Sequence, residues 1–141
     1  MSKTEATTID VSITDQPIDI ASVRAGASSD CGAVAEFSGV VRDNNDGQRV
    51  QGLHYQCYRE MAEAEARRVA REVMDEFGVR GVCIVHRVGD LDVGDLAMYV
   101  AVTAGHRREA FAAIQALVDR VKDRVPIWKK ERYADGERRW L

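Results

Sequence analysis

Apolar and polar positions alternate at Ile9, Val11 and Ile13, a period of two that predicts a half-buried strand. Pro17 to Arg24 predicts a short helix, with Asp15 as its cap. Gly32 to Val41 predicts a second strand carrying Val34 and Phe37. Arg42-Asp43-Asn44-Asn45-Asp46-Gly47 follows as a polar loop dense in turn formers. Gln48 to Cys57 predicts a third strand, pairing back across that loop. The period then changes. From Glu60 to Phe77, Ala62, Ala66, Val69, Val73 and Phe77 recur at helical spacing, with Glu63, Glu65, Arg67, Arg68, Arg71 and Glu72 on the wet side and Gly78 as the stop. Val79 to Val88 predicts a strand and Gly89 to Gly94 turns. Leu96 to Thr103 is the most apolar strand and the expected centre of a sheet. Arg107 to Arg124 predicts a second long helix, ended by Pro126. Ile127 to Tyr133 reads as extended, and Asp135-Gly136 as a turn before the last residues.

Strands that arrive in adjacent pairs between helices predict an α+β fold, with a largely antiparallel sheet and helices packed on it. The chain has 141 residues, enough for one domain, so residues 1–141 are read as a single unit. No linker, repeat or low-complexity tract interrupts it.

The second long helix carries charges where its apolar face predicts none. Its stripe is Ala110, Phe111, Ile114, Leu117, Val118 and Val121, with Arg107 inside the stripe and Lys122 at its edge. A cation beside a core face must snorkel, find a partner or bind a ligand. His106 and Arg107 stand at the helix start, where unpaired N–H groups favour an anion. Lys129 follows seven residues after Lys122, beside Trp128, which is expected to pack that segment down. With Arg42 from the polar loop, these side chains predict one cationic pocket, suited to a phosphorylated or carboxylated ligand.

Composition narrows the choices. Lys plus Arg number 20 against 23 Asp plus Glu, a net charge of −3, which argues against a general nucleic-acid coat. No apolar run reaches the length of a membrane helix, and the polar start has no signal core, so the expected location is cytoplasmic, with no membrane partner. Cys31, Cys57 and Cys83 form no C-x-x-C pair and read as small apolar strand residues. His54 and His86 read as packed or edge strand histidines rather than ligands. With three His in the chain and no acidic partner at ligand spacing, no metal site is expected. No dinucleotide, P-loop, H-E-x-x-H or G-x-S-x-G motif is present.

A family then becomes visible. The motifs are Gly32-Ala33-Val34-Ala35-Glu36-Phe37-Ser38-Gly39-Val40-Val41-Arg42, His86-Arg87-Val88-Gly89, Gly94-Asp95, Ala104-Gly105-His106-Arg107, Lys122, and Pro126-Ile127-Trp128-Lys129-Lys130-Glu131. In this order, from about residue 30 to residue 140, they resemble the large, catalytic subunit of molybdopterin synthase. The resemblance implies an α/β hammerhead fold and a homodimer within a heterotetramer. It implies a partner on each protomer, a small ubiquitin-like sulfur-carrier subunit ending in a Gly-Gly thiocarboxylate. It implies sulfurtransferase chemistry in which two sulfurs pass to cyclic pyranopterin monophosphate, giving the dithiolene of molybdopterin, with no cofactor and no metal held by this chain.

By the same resemblance Lys122 and Lys129 are the catalytic residues, Lys122 as acid/base group or stabiliser of developing negative charge. Val40, Val41, Arg42, His106, Arg107, Lys122, Lys129, Lys130 and Glu131 would bind substrate, with Arg42, His106 and Arg107 on the pterin and its phosphate. Val40 stands where many members carry Lys, a position expected to contribute backbone. A C-terminal arginine of the family can reach the neighbouring protomer's site, and Arg132, Arg138 and Arg139 are the candidates. Two rival readings use the same cations: a non-enzymatic anion- or RNA-binding module, and a degenerate regulatory paralogue. The first lacks an expected exposed aromatic platform; the intact lysines argue against the second.

Overall fold

The computed structural model describes residues 7–23 and 30–141. The elements run β1 (Thr8–Thr14), α1 (Ile20–Val23), β2 (Ala33–Val40), β3 (Asn44–Asn45), β4 (Gln48–Cys57), α2 (Arg59–Phe77), β5 (Gly81–Arg87), β6 (Gly89–Asp92), β7 (Leu96–Ala104), α3 (Arg107–Arg124), β8 (Ile127–Tyr133) and β9 (Arg138–Trp140). The fold is mixed α+β, as the strand pairing in the sequence predicts.

There are two sheets where the sequence predicts one. The first has the order β1-β5-β7-β2, with β1 and β5 parallel and the other pairs antiparallel. The apolar strand β7 is interior to it, as expected. The second runs β3-β4-β8-β9, with β6 also pairing β4. Helices α2 and α3 cover one face of the first sheet. Val69 and Val73 of α2 and Leu117 and Val121 of α3 meet Val11, Ile84, Val100 and Val102 in one core. Full burial of each such side chain is worth roughly 1.5–3 kcal/mol. Alanines at 62, 66, 70, 110 and 113 are buried in the same core, leaving room for the backbones to approach. Arg124 ties α3 to α2: its fork donates to Glu72 at 2.6 and 2.8 Å, and its Nε to Glu65 at 3.0 Å.

Helix α2 ends as predicted, on Gly78 in the left-handed region at φ 68°, whose N–H donates to the Met74 carbonyl. Several other expectations need correction. The cap of α1 is Asp19, whose Oδ1 accepts from the Ala21 N–H at 3.1 Å, and not Asp15; Arg24, the expected helix end, lies outside the described residues. The polar loop contains β3, which returns through Asp46 (φ 50°) and Gly47 (φ 80°) onto Gln48 and Arg49. Strand β4 pairs back only with this two-residue stub and not with β2, which goes to β7. Residues 89–92 form a strand rather than turns alone, because β4 offers a free edge and Leu91 fills a second small core with Val41, Leu53 and Ala97. Beyond the Asp135-Gly136 turn the chain folds back as β9 on β8. Phe111 is 66% exposed, and Ala113 takes the buried position on α3. Trp128 is 43% exposed on the outer face of β8 and packs against Tyr58 instead of the core.

Candidate active site

Strand alternation delivers His86 to the helix-facing side of β5, in line with Val82 and Ile84, at the end of the first sheet beside Met98 of β7. The ring is 9% exposed. Its Nδ1 lies 2.7 Å from the Arg87 carbonyl oxygen, and its edge meets the Tyr55 ring at 4.9 Å between centroids. Burial pushes its pKa down to about 4; the Arg87 carbonyl opposes this, and the positive charges of Lys129 and Lys122 add to it. His86 is therefore neutral at pH 7, and both lysines stand close enough to act on it.

The two lysines reach this point from different elements. Lys122 lies in the last turn of α3, with Nζ 5.9 Å from the Phe37 ring centroid on β2. Lys129 lies on β8 directly across from Tyr55 of β4, so both side chains leave the same face of the second sheet. Burial raises the Tyr55 pKa, and the charge of Glu131 raises it further. The site thus has a neutral floor of His86, Tyr55 and Phe37 beneath two exposed ammonium groups. Such an arrangement attracts an anion and stabilises negative charge that develops between the lysines.

Arg42 follows Val41 at this same end of the first sheet. Val41 is clamped there: its N–H donates to Asp95 at 3.0 Å, and its carbonyl accepts from Gly94 at 2.9 Å. Its side chain is buried, while that of Val40 is exposed. The predicted single pocket does not include the other two cations. His106 and Arg107 open α3, whereas Lys122 lies fifteen residues on, about 22 Å along the axis at 1.5 Å per residue. Helical spacing put Arg107 and Lys122 near one stripe, but the length of the helix separates them. Arg107 is also exposed rather than seated in the core face.

The Lys129-Lys130-Glu131 run is split by the strand's alternation. Lys130 faces the outer side, stacked 5.1 Å over Trp140, in a cleft of about 220 Å³ with His54, Asp90, Arg132 and Arg138. Glu131 returns to the inner side and is 5% exposed; it accepts from Asn45 at 2.9 Å and from the Tyr133 hydroxyl. Its carboxylate is thus committed to holding the second sheet together. Phe37, Tyr55 and His86 were not singled out for this site by spacing, since each reads as an ordinary strand residue. The H-R-x-G motif was the available signal for His86.

The outer face also corrects the expectation of no aromatic platform. Tyr58, Trp128 and Trp140 are exposed and line one groove with Gln56 and Cys57. Among the described residues, no three His, Cys, Asp or Glu side chains gather as metal ligands would, and no helix is long and apolar enough to cross a membrane.

Residues 13–124 match the family model described as MoaE protein. The molybdopterin synthase catalytic subunit of Pyrococcus abyssi is 46% identical over 111 residues, which cover 79% of this chain and 75% of the relative. The crystal structure of molybdopterin synthase from Staphylococcus aureus superposes with a TM-score of 0.85 at 34% identity, over 92% of this chain and 94% of that one. A protein–protein complex of subunits 1 and 2 of molybdopterin-converting factor from Helicobacter pylori shares the fold, with a TM-score of 0.73 at 20% identity over 94% and 89% of the two chains.

Proposed function

We infer the chemistry of this chain from its family: it belongs to the MoaE proteins, the catalytic subunits of molybdopterin synthase, and so is a transferase of molybdenum-cofactor biosynthesis. We propose that residues 1–141 act as one domain that accepts sulfur from the C-terminal thiocarboxylate of a small ubiquitin-like carrier. The sulfur passes to cyclic pyranopterin monophosphate, and two rounds build the dithiolene. The observation that carries this reading is the convergence of Lys122 and Lys129 over a neutral floor, from α3 and β8 respectively.

The carrier's tail is anionic and extended, and the lysine pair is the place for it. In each round the thiocarboxylate sulfur forms a bond to a substrate carbon as a carbon–oxygen bond at that carbon breaks, the oxygen leaving as water or on the substrate's own phosphate. Water then adds to the carrier's acyl carbon, the acyl–sulfur bond breaks, and the carrier leaves as a carboxylate. Negative charge develops on the acyl oxygen, where an ammonium from Lys122 or Lys129 stabilises it. Arg42 holds the pterin at the same end of the sheet. No cofactor or metal enters this scheme, because the sulfur arrives on the partner.

The phosphate cations His106 and Arg107 are about 22 Å of helix from Lys122. We propose that they serve the lysine pair of a second copy of this chain, in a homodimer that carries one small subunit per protomer. The two-subunit complex from Helicobacter pylori supports such a partner. Lys130 then belongs to the outer rim, and Glu131 supports the site from within. We place the reaction in the cytoplasm, which keeps thiols such as those of Cys57 and Cys83 reduced. The test is to mix the chain with thiocarboxylated carrier and pyranopterin substrate, beside a carrier lacking its two terminal glycines. Dithiolene product with the intact carrier alone supports the reading. No product, or product with the truncated carrier, refutes it.

A further inference from the structure

His86 is a buried polar side chain at the lysine pair to which the scheme above gives no task. Its hydrogen bond fixes its chemistry. The Arg87 carbonyl oxygen only accepts, so Nδ1 must donate across the 2.7 Å contact and carries the ring proton. In a neutral imidazole Nε2 is then the free lone pair of the ring, an acceptor that the Arg87 bond does not use. The ring cannot turn over freely, because the Tyr55 ring stands against it at 71°.

We propose that His86 is the positioning residue of the lysine pair: the exposed Lys129 side chain turns from β8 onto its Nε2, which accepts a hydrogen bond from the ammonium and holds that amine in the path of sulfur transfer. Lys129 is the partner, rather than Lys122, for two reasons. Lys129 sits directly across from Tyr55, whose ring touches His86, and Lys122 already has a seat over the Phe37 ring. The two catalytic amines would thus be held differently, Lys122 by an aromatic face and Lys129 by an imidazole lone pair. A charged histidine in this place would repel both.

The groups that face His86 agree with a neutral acceptor. Tyr55 comes from β4, and its phenol is kept protonated by burial and by Glu131. Lys129 comes from β8 and Lys122 from α3, both cations. The Arg87 side chain is taken by Asp95, with Nη1 to Oδ2 at 3.4 Å. No carboxylate among these groups acts on the ring to stabilise an imidazolium.

The proposal rests on the sulfur-transfer reading, and two measurements keep their failures apart. The first needs no activity: imidazole ¹⁵N shifts of the wild-type chain between pH 6 and 8, with the Lys129 ¹⁵Nζ signal. A ring protonated at Nδ1 and bare at Nε2, and a Lys129 signal that moves in His86→Phe, are expected. An Nε2-protonated ring, or an unmoved Lys129 signal, overturns the proposal. The second is steady-state transfer by His86→Phe, which keeps ring volume without an acceptor, and His86→Gln, which restores an acceptor near Nε2. A kcat loss on the order of 100-fold in His86→Phe at nearly unchanged KM, partly rescued in His86→Gln, is expected for a misplaced catalytic group. Equal kcat in His86→Phe and wild type, or equal losses in both variants that follow their melting temperatures, overturns it. A wild-type chain that shows the expected spectra but transfers no sulfur refutes the functional reading and leaves the His86–Lys129 pairing standing.

Discussion

Lys122→Met separates the lysine's chemistry from its packing. Methionine keeps an unbranched stem at the edge of α3 and loses the charge. The fold gives up the contact between Nζ and the Phe37 ring at 5.9 Å. An exposed cation–π contact is worth about 0.5–1 kcal/mol, and the methionine sulfur regains part of it against the same ring. For a domain of this size that lowers the melting temperature by a few degrees at most, on the order of 4 °C per kcal/mol. The catalytic loss expected from the proposed role is larger. An ammonium that stabilises a developing oxyanion in a preorganised site is worth roughly 2.7–4 kcal/mol, or about 100- to 1,000-fold in rate. The two effects therefore differ by several-fold in free energy and are read separately. The assay is single-turnover dithiolene formation with carrier and substrate saturating, beside a thermal melt. Lys122→Arg keeps the charge and the aromatic contact but changes the donor geometry, and an arginine cannot give up its proton. It is expected to be as slow as the methionine if the amine exchanges a proton, and intermediate if charge alone counts. Turnover by Lys122→Met within threefold of wild type, at an unchanged melting temperature, would refute the catalytic reasoning.

Three further outcomes follow from the same geometry. Arg107→Ala and Lys122→Ala chains, each inactive alone, are expected to recover roughly a quarter of wild-type turnover when mixed and allowed to exchange, because half the dimers then hold one intact site of two; no recovery would place both residues in one chain's site. His86 binds a proton at 6.5 when unfolded and at about 4 when folded, so the unfolded chain holds more protons between those values and stability rises with pH across the window. Its contribution is complete above pH 6.5 and falls by about 3 kcal/mol as pH drops to 4; urea melts of wild type and His86→Phe should differ in slope over this range, and parallel curves would contradict a buried neutral ring. Burial, with Asp10 nearby, pushes the Cys83 thiol up to about 11, so it should be alkylated more slowly at pH 8 in the folded chain than in the urea-unfolded chain, as read by mass spectrometry of its peptide; equal rates would contradict that burial.

How much of this was legible depended on whether a residue's partner was near it in sequence. α2 and α3 were readable from their own spacing, because a helix satisfies its backbone within itself. β6 was not: Gly89-Asp90-Leu91-Asp92 has turn composition, and it is a strand because β4 offers its edge and Leu91 enters a small core. β9 was missed for the same reason, since its pairing with β8 is what makes it extended. In the site, the motif order carried Lys122 and Lys129, and the structure places both beside His86. Lys130 could have been parted from Lys129 by strand alternation alone, once β8 was read as extended, whereas Glu131 shares the face of Lys129. The gap between Arg107 and Lys122 was also countable in advance, because fifteen helical residues set a distance whichever face they share. Asp19 in place of Asp15 as the cap depended on where the short helix begins, a boundary that composition does not fix.

The central claim is that sulfur reaches the product from the carrier and not from this chain. The most direct test is to charge the carrier's thiocarboxylate with ³⁴S, run the reaction to completion with unlabelled catalytic chain, and weigh the dithiolene product. Both product sulfurs are expected to carry the heavy isotope, with the masses of Cys31, Cys57 and Cys83 peptides unchanged. Light sulfur in the product, or heavy sulfur retained on any of those cysteines, would contradict direct transfer at the lysine pair.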